Sequence, residues 1–223
     1  DIVFAESVGS CVDLVATVVN PLQKYGERKV QATSLTVFTD SRLLLRRLKG
    51  EDFPFSDAIT YIYDKQMEEA GLLMINKVDL LRQEDLQMLE DLSAQRFPLT
   101  PRLFCSSLDV EDIREWINLL EKDPGKFAGE TLDVDYQQYS SAEQMMVWLD
   151  ASINISHFSS PNFRQDFIEV VESILKDLEE RMILIGHIKF LLTSASGRYK
   201  ISITTLNDPN WIDQIQMKLE GLS

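Results

Sequence analysis

The sequence predicts an α/β fold in two parts. Residues 1–120 read as a parallel sheet with flanking helices, and residues 143–223 as a small α+β unit with the order β-α-β-β-α. Three observations carry this. Short apolar runs bounded by polar residues alternate with helical stretches, as parallel strands do with their crossovers. The most distinct run, Leu72-Leu73-Met74-Ile75, passes straight into the polar cluster Asn76-Lys77-Val78-Asp79. Beyond residue 142, two β-rich runs flank the turn Ser194-Ala195-Ser196-Gly197-Arg198, a hairpin signal rather than a crossover.

In chain order, Asp1 to Ser7 reads as a strand. Apolar residues at 12, 14, 15, 18, 19 and 22 predict a helix, capped by Ser10 or Asp13 and bent or ended by Pro21. Residues 31–40 are β-branched and apolar, hence a strand. Asp40-Ser41 then either only caps the next helix, through Leu48, or also stands on the switch side of a nucleotide site. That helix carries a basic face of Arg42, Arg46, Arg47 and Lys49, either solvated or open to an acidic partner. Phe53 to Tyr63 begins loop-like and becomes helical through Ala70. After the central strand come a helix over 83–95, a strand over 101–107 and a helix over 109–120 with Asp109 as N-cap. Residues 121–142 show no period and read as a linker. In the second unit, Met145 to Ile155 reads as a strand and Phe163 to Met182 as a long amphipathic helix. His187 to Leu192 and Tyr199 to Leu206 read as strands, and Asp208-Pro209 opens a last helix.

The 223 residues are 44% apolar, enough for a real core, and no uncharged apolar run reaches 18 residues. The formal charge is −14, with 22 acids against 15 bases over residues 1–129 and 14 against 7 in the remainder. Neither part is basic, which argues against nucleic acid and anionic membrane as partners and leaves room for a basic or metal-loaded one. Two cysteines make no disulfide framework, so a reducing compartment, the cytoplasm, is expected. Cys11 and Cys105 read as inert thiols, since two thiols do not close a zinc site. Of the two histidines, His157 and His187, neither sits in a ligand or nucleophile pattern.

Open α/β sheets bind ligands beyond the C-terminal ends of their strands, which makes Asn76-Lys77-Val78-Asp79 the leading candidate. A second is Glu6-Ser7-Val8-Gly9. A carboxylate at a strand end can reach Mg²⁺ through water, and a glycine three residues on lets its N–H approach a γ-phosphate.

Asn76-Lys77-x-Asp79 resembles the guanine-reading motif of P-loop GTPases, and Glu6-x-x-Gly9 resembles the switch of the CobW/HypB/UreG family of metal- and cofactor-handling GTPases. The strand ending in Asp40, the helix carrying Gln66 and the strand ending in Ser106 and Ser107 follow in that family's order. The resemblance covers about residues 1–120 and implies a partial P-loop GTPase sheet. It implies that Asp79 accepts from the guanine N1–H and amine, that Asn76 supports the base edge and that the Lys77 stem lies along the ring. It further implies that a backbone N–H of Ser106 or Ser107 meets the guanine carbonyl. Glu6 would hold Mg²⁺ through water and Gly9 would sense the γ-phosphate. GTP or GDP with Mg²⁺ are then the expected cofactors. The expected partner is a metalloprotein or corrinoid-protein client facing the second unit, and a homodimer is a further possibility.

Two family features are missing, the Gly-x-x-x-x-Gly-Lys-Ser/Thr phosphate loop and the Cys-x-Cys-Cys metal motif. Both would precede Glu6, so the sequence reads as the later part of a longer protein, without hydrolytic competence alone. The alternative is a nucleotide-free interaction module on a degenerate GTPase scaffold.

Overall fold

The computed structural model describes residues 3–26, 34–122, 125–154, 163–194, 197–204 and 215. The described residues form seven α-helices and five strands in two compact units, 1–147 and 148–223.

The first unit is built on a three-stranded parallel sheet of order β1-β2-β3, with β1 at Thr36–Asp40, β2 at Leu72–Asn76 and β3 at Arg102–Cys105. Strand β2 lies in the middle, and Leu72, Leu73, Met74 and Ile75 are each 0% exposed. Alternation along the strand sends these four to opposite faces. Leu73 and Ile75 pack with Leu44, Leu45, Met67, Ala70, Leu89 and Phe97, contributed largely by helices α2 (Ser41–Lys49), α3 (Asp57–Glu69) and α4 (Gln83–Arg96). Leu72 and Met74 pack with Cys105, Phe127 and Leu120, the last from helix α5 (Val110–Lys122), with Trp116 and Leu119 beside them. A run apolar throughout is therefore what a strand covered on both faces requires.

Two helix starts follow the caps expected of them, whereas neither Ser10 nor Asp13 caps the helix expected over 12–23, because Ser10 donates to Glu143 and Asp13 takes the Tyr136 hydroxyl. Asp40 accepts from the backbone N–H of Arg42 at α2, and Asp109 from that of Glu111 at α5. Helix α2 ends on Gly50, whose φ of 67° turns the chain so that Gly50 and Glu51 donate back to Arg47 and Arg46. Its basic face is spent internally. Arg42 pairs with Asp40, Arg47 with Asp64 and Lys49 with Glu51, while Arg46 donates to the Asp52 carbonyl.

The helix expected over 12–23 forms as a wide π turn, Val15–Val19, running into α1, Asn20–Tyr25. Pro21 sits inside it rather than ending it. Proline has no N–H to donate and its ring crowds the carbonyl four residues back, and the wider turn relieves both.

Three expectations are corrected. Residues 3–8 belong to no strand, and Val3, Phe4 and Val8 are exposed. A strand needs a ladder partner, and this segment touches the fold through stacking of Phe4 on Trp116 instead. Residues 125–142 are packed on the first unit rather than forming a linker. Phe127, Val134 and Ala142 are buried, Ser34 bridges to Phe127, and helix α6 (Tyr136–Gln144) forms a core with Val12 and Ile62. Residues 145–154 are irregular, with Val147, Trp148 and Leu149 exposed, so strand propensity found no partner there.

In the second unit helix α7 (Phe163–Glu180) covers one face of an antiparallel ribbon, β4 (His187–Ser194) and β5 (Gly197–Thr204). Phe167, Ile168, Val171, Leu175, Ile201, Ile203 and Ile215 form its core. The last expected helix lies outside the described residues except at Ile215.

Two substitutions test this packing. A Cβ on Gly71 would lie 2.0 Å from the Phe127 carbonyl oxygen and 2.5 Å from the Gly129 nitrogen. Gly71→Ala should therefore cost about 3 kcal/mol in urea unfolding, the upper end for overpacking. Met182 closes α7 at φ 54° with 88% of its surface exposed, while Met182 and Ile183 donate back to Glu179 and Leu178. Met182→Gly should stabilise the second unit by about 1 kcal/mol, read as a raised urea midpoint, because it relieves the left-handed strain without losing packing.

Candidate functional site

The parallel registers pair Asp40 with Asn76 and Asn76 with Cys105, so all three strands end in one row. The residues just beyond that row form a connected set of loops, and the chemistry starts with Asn76. Its Oδ1 accepts from the backbone N–H groups of Lys77 and Ser107, both at 2.8 Å, and its Nδ2 donates to Ser107 Oγ at 3.1 Å. One amide thus locks the turn after β2 to the turn after β3.

Lys77 sits at φ 65°, a left-handed conformation that costs a non-glycine residue about 1 kcal/mol or more. Two contacts hold it there. Ser41 Oγ donates to the Lys77 carbonyl at 3.0 Å, and Lys77 Nζ pairs with Asp40 Oδ2 at 3.0 Å. Asp40 also takes the Arg42 guanidinium, at 3.1 Å on Oδ1 and 2.8 Å on Oδ2. Burial pushes the Asp40 carboxyl up, but the hydrogen bonds and charges of Arg42 and Lys77 outweigh it and hold the group at about 2. Asp40 therefore does more than cap α2. It anchors the loop after the central strand.

The next residues form a 3₁₀ turn, Val78–Leu80. Asp79 lies on it, exposed, with no hydrogen bond or ion pair among the described residues. Across the row, Ser107 is exposed, whereas the Ser106 N–H is taken by Asp112 Oδ2 at 2.7 Å. Of the two serines left open by the sequence, both N–H groups are thus engaged within the fold, and Ser107 is the one joined to Asn76. Leu108, next in the chain, is 88% exposed, and Leu80 is also exposed. Sequence reading passed over these two leucines and the Asp40–Lys77 pair. An apolar residue beside each polar loop was the available signal.

Glu6 and Gly9 stand differently. Glu6 is exposed in the irregular segment, with no hydrogen bond or ion pair among the described residues. Gly9 is exposed too, and its carbonyl accepts from Gln66 Nε2 at 2.8 Å, as the Cys11 carbonyl does at 3.0 Å. The segment after Gly9 is held tightly. Asp13 is buried at φ 62°, with Oδ2 taking the Tyr136 hydroxyl and Oδ1 without a hydrogen-bond partner. Glu69 Oε1 accepts from the Val15 N–H at 2.7 Å. Burial pushes the Glu69 carboxyl up, against the N–H groups of Val15, Leu14 and Asp13 that favour its charge. Ser10 and Tyr139 both donate to Glu143 Oε1 at 2.9 Å. Helix α3 and helix α6 therefore grip residues 9–15 from two sides.

Both cysteines are free, and burial followed by the Asp112 charge pushes the Cys105 thiol up to about 11, which keeps it unreactive. No group of three histidine, cysteine or acidic side chains suited to a metal ion occurs among the described residues. His157 lies outside them, and His187 pairs with Ser202. No helix of the described residues is long and apolar enough to cross a membrane.

No protein-family model, no curated protein and no solved structure matches this chain.

The anchor at Asp40 has a pH signature. Its folded value lies below the unfolded one, near 3.9, so its stabilisation is complete above about pH 5 and is lost as the pH falls toward 2. Asp40→Asn should cost about 2 kcal/mol at pH 7 and almost nothing at pH 2, measured by paired urea titrations of both proteins.

Proposed function

We propose that the loops beyond β2 and β3 form a guanine-recognition site, and that the chain is the base-reading part of a CobW-like GTP-binding protein. One observation carries the reading. Asp79 presents a carboxylate with no partner among the described residues beside Asn76, which is locked to Ser107, at the C-terminal end of a parallel sheet. An acceptor-only group there suits the paired N1–H and amine of guanine, and adenine offers no such pair. The exposed Leu80 and Leu108 and the stem of Lys77 supply apolar surface of the kind a flat base covers.

The fit to the whole nucleotide is uneven. The guanine end has an open acceptor in Asp79, while the Ser106 and Ser107 N–H groups expected to meet the guanine carbonyl are taken by Asp112 and Asn76. The phosphate and Mg²⁺ end has only Glu6 and Gly9, with no glycine-rich cradle and lysine in these 223 residues. Hydrolysis is therefore not assigned to this chain alone. In the complete site Glu6 would orient the water shell of Mg²⁺, and Gly9 would bring its N–H to the γ-phosphate. Movement of residues 7–13 would reach α6 through Ser10, Asp13 and Glu143, and α6 directly precedes the second unit in sequence. That unit would meet the metalloprotein or corrinoid-protein client, and the role of the whole would be delivery of a metal or metallocofactor.

A second reading is favoured by one feature. Residues 3–8 form no strand and Glu6 has no partner among the described residues, as expected of a nucleotide-free interaction module on an old GTPase sheet.

Titration of the isotope-labelled chain separates the two. On the first reading guanosine and GDP bind weakly and shift the amide signals of Lys77, Asp79 and Ser107, while adenosine and ADP do not. Asp79→Asn should weaken guanosine binding by about 1.5–3 kcal/mol, roughly one to two powers of ten, and should confer a response to xanthosine, whose carbonyl accepts from the new amide. Equal responses to guanosine and adenosine, or none to either, favour the interaction module.

A further inference from the structure

The outward face of the β4–β5 ribbon is cationic in a strongly acidic chain. Neither strand contains an aspartate or glutamate, although the chain has 36 acids against 22 bases. Ile188, Phe190, Leu192, Tyr199, Ile201 and Ile203 turn toward α7, which leaves Lys189, Leu191, Arg198 and Lys200 on the opposite side, all exposed. The register sets Lys200 opposite Leu191, Arg198 opposite Thr193 and Lys189 opposite Ser202. With a rise of about 3.3 Å per residue, the three cations form a diagonal band about 13 Å long. None of Lys189, Arg198 and Lys200 forms an ion pair among the described residues. Two acids of α7 pair locally instead, Glu180 with Lys176 and Asp177 with Arg181 just past the helix end. Leu191, 68% exposed, lies in the middle of the band, an apolar centre within a charged rim.

We propose that this face docks an acidic surface of a partner protein, with Lys189, Arg198 and Lys200 pairing with its carboxylates and Leu191 covered at the centre. Charge complementarity selects the occupant. A carboxylate-rich segment meets three cations here and no acid on either strand. A helix presenting an acid on each turn, about 5.4 Å apart, spans the band in three turns. The inference concerns the second unit alone and stands whether or not the first unit reads guanine.

The test uses the full chain and a fluorescein-labelled oligoglutamate peptide of about ten residues, followed by anisotropy. The peptide should bind, and more weakly in 200 mM than in 50 mM salt, because the ion pairs are screened. The pair Lys189→Glu and Lys200→Glu should weaken binding at least tenfold. The pair Lys189→Arg and Lys200→Arg should retain it, and Arg82→Glu with Arg114→Glu on the first unit should leave it unchanged. Circular dichroism should be the same for all variants. Absence of peptide binding, or binding indifferent to the reversals, overturns the proposal. So does ribbon-dependent binding of heparin or phosphatidylserine vesicles in place of the peptide. Salt-sensitive self-association lost in the same reversal would replace the partner with a second copy of the chain.

Discussion

Burial of strand β2 on both faces is the constraint on which the first unit depends. Complete burial of Leu72, Leu73, Met74 and Ile75 is worth about 1.5–3 kcal/mol each, a gross term comparable to the net stability of a whole domain. Because each side chain is committed to one face, a shift of one residue would exchange Leu73 and Ile75 with Leu72 and Met74 and disrupt both cores. The register with β1 and β3 is thereby pinned, and Asp40, Asn76 and Cys105 are brought into one row. The candidate site is a consequence of where that row ends.

Beyond the row, polar contacts take over from apolar ones. Asn76 ties two loops together, and Asp40 holds Lys77 in a backbone conformation it would not adopt alone. The strain at Lys77 is offset by a charge pair and by the Ser41 hydroxyl. The result is a cross-linked rim on which Asp79 is exposed. It stands beside an amide whose oxygen is already engaged, which is the ground for proposing it as the acceptor of a ligand.

What was legible in the sequence was what short-range physics decides. The short apolar run before Asn76, bounded by polar residues, fitted a strand covered on both sides and is one, and Asp40 and Asp109 cap helices as expected. Residues 3–8 and 145–154 have strand composition, but a strand exists only with a neighbour, and no local pattern reports the neighbour. The segment read as a linker hides its burial in isolated residues, Phe127, Val134 and Ala142, spaced too irregularly to make a period. At the site, Asn76 and Asp79 were legible as candidates from type and spacing, at the polar end of an apolar run. The Asp40–Lys77 pair was not, because it joins residues 37 apart in sequence.

The central claim is that the loops around Asn76, Asp79 and Ser107 contact a guanine base. Photocrosslinking with 6-thioguanosine, followed by peptide mass spectrometry, tests it without requiring the phosphate end of the site. Adducts should be confined to residues 76–81 and 105–108, competed by guanosine and not by adenosine. Adducts elsewhere in the chain, or equal labelling of the same residues by 8-azidoadenosine, would contradict it.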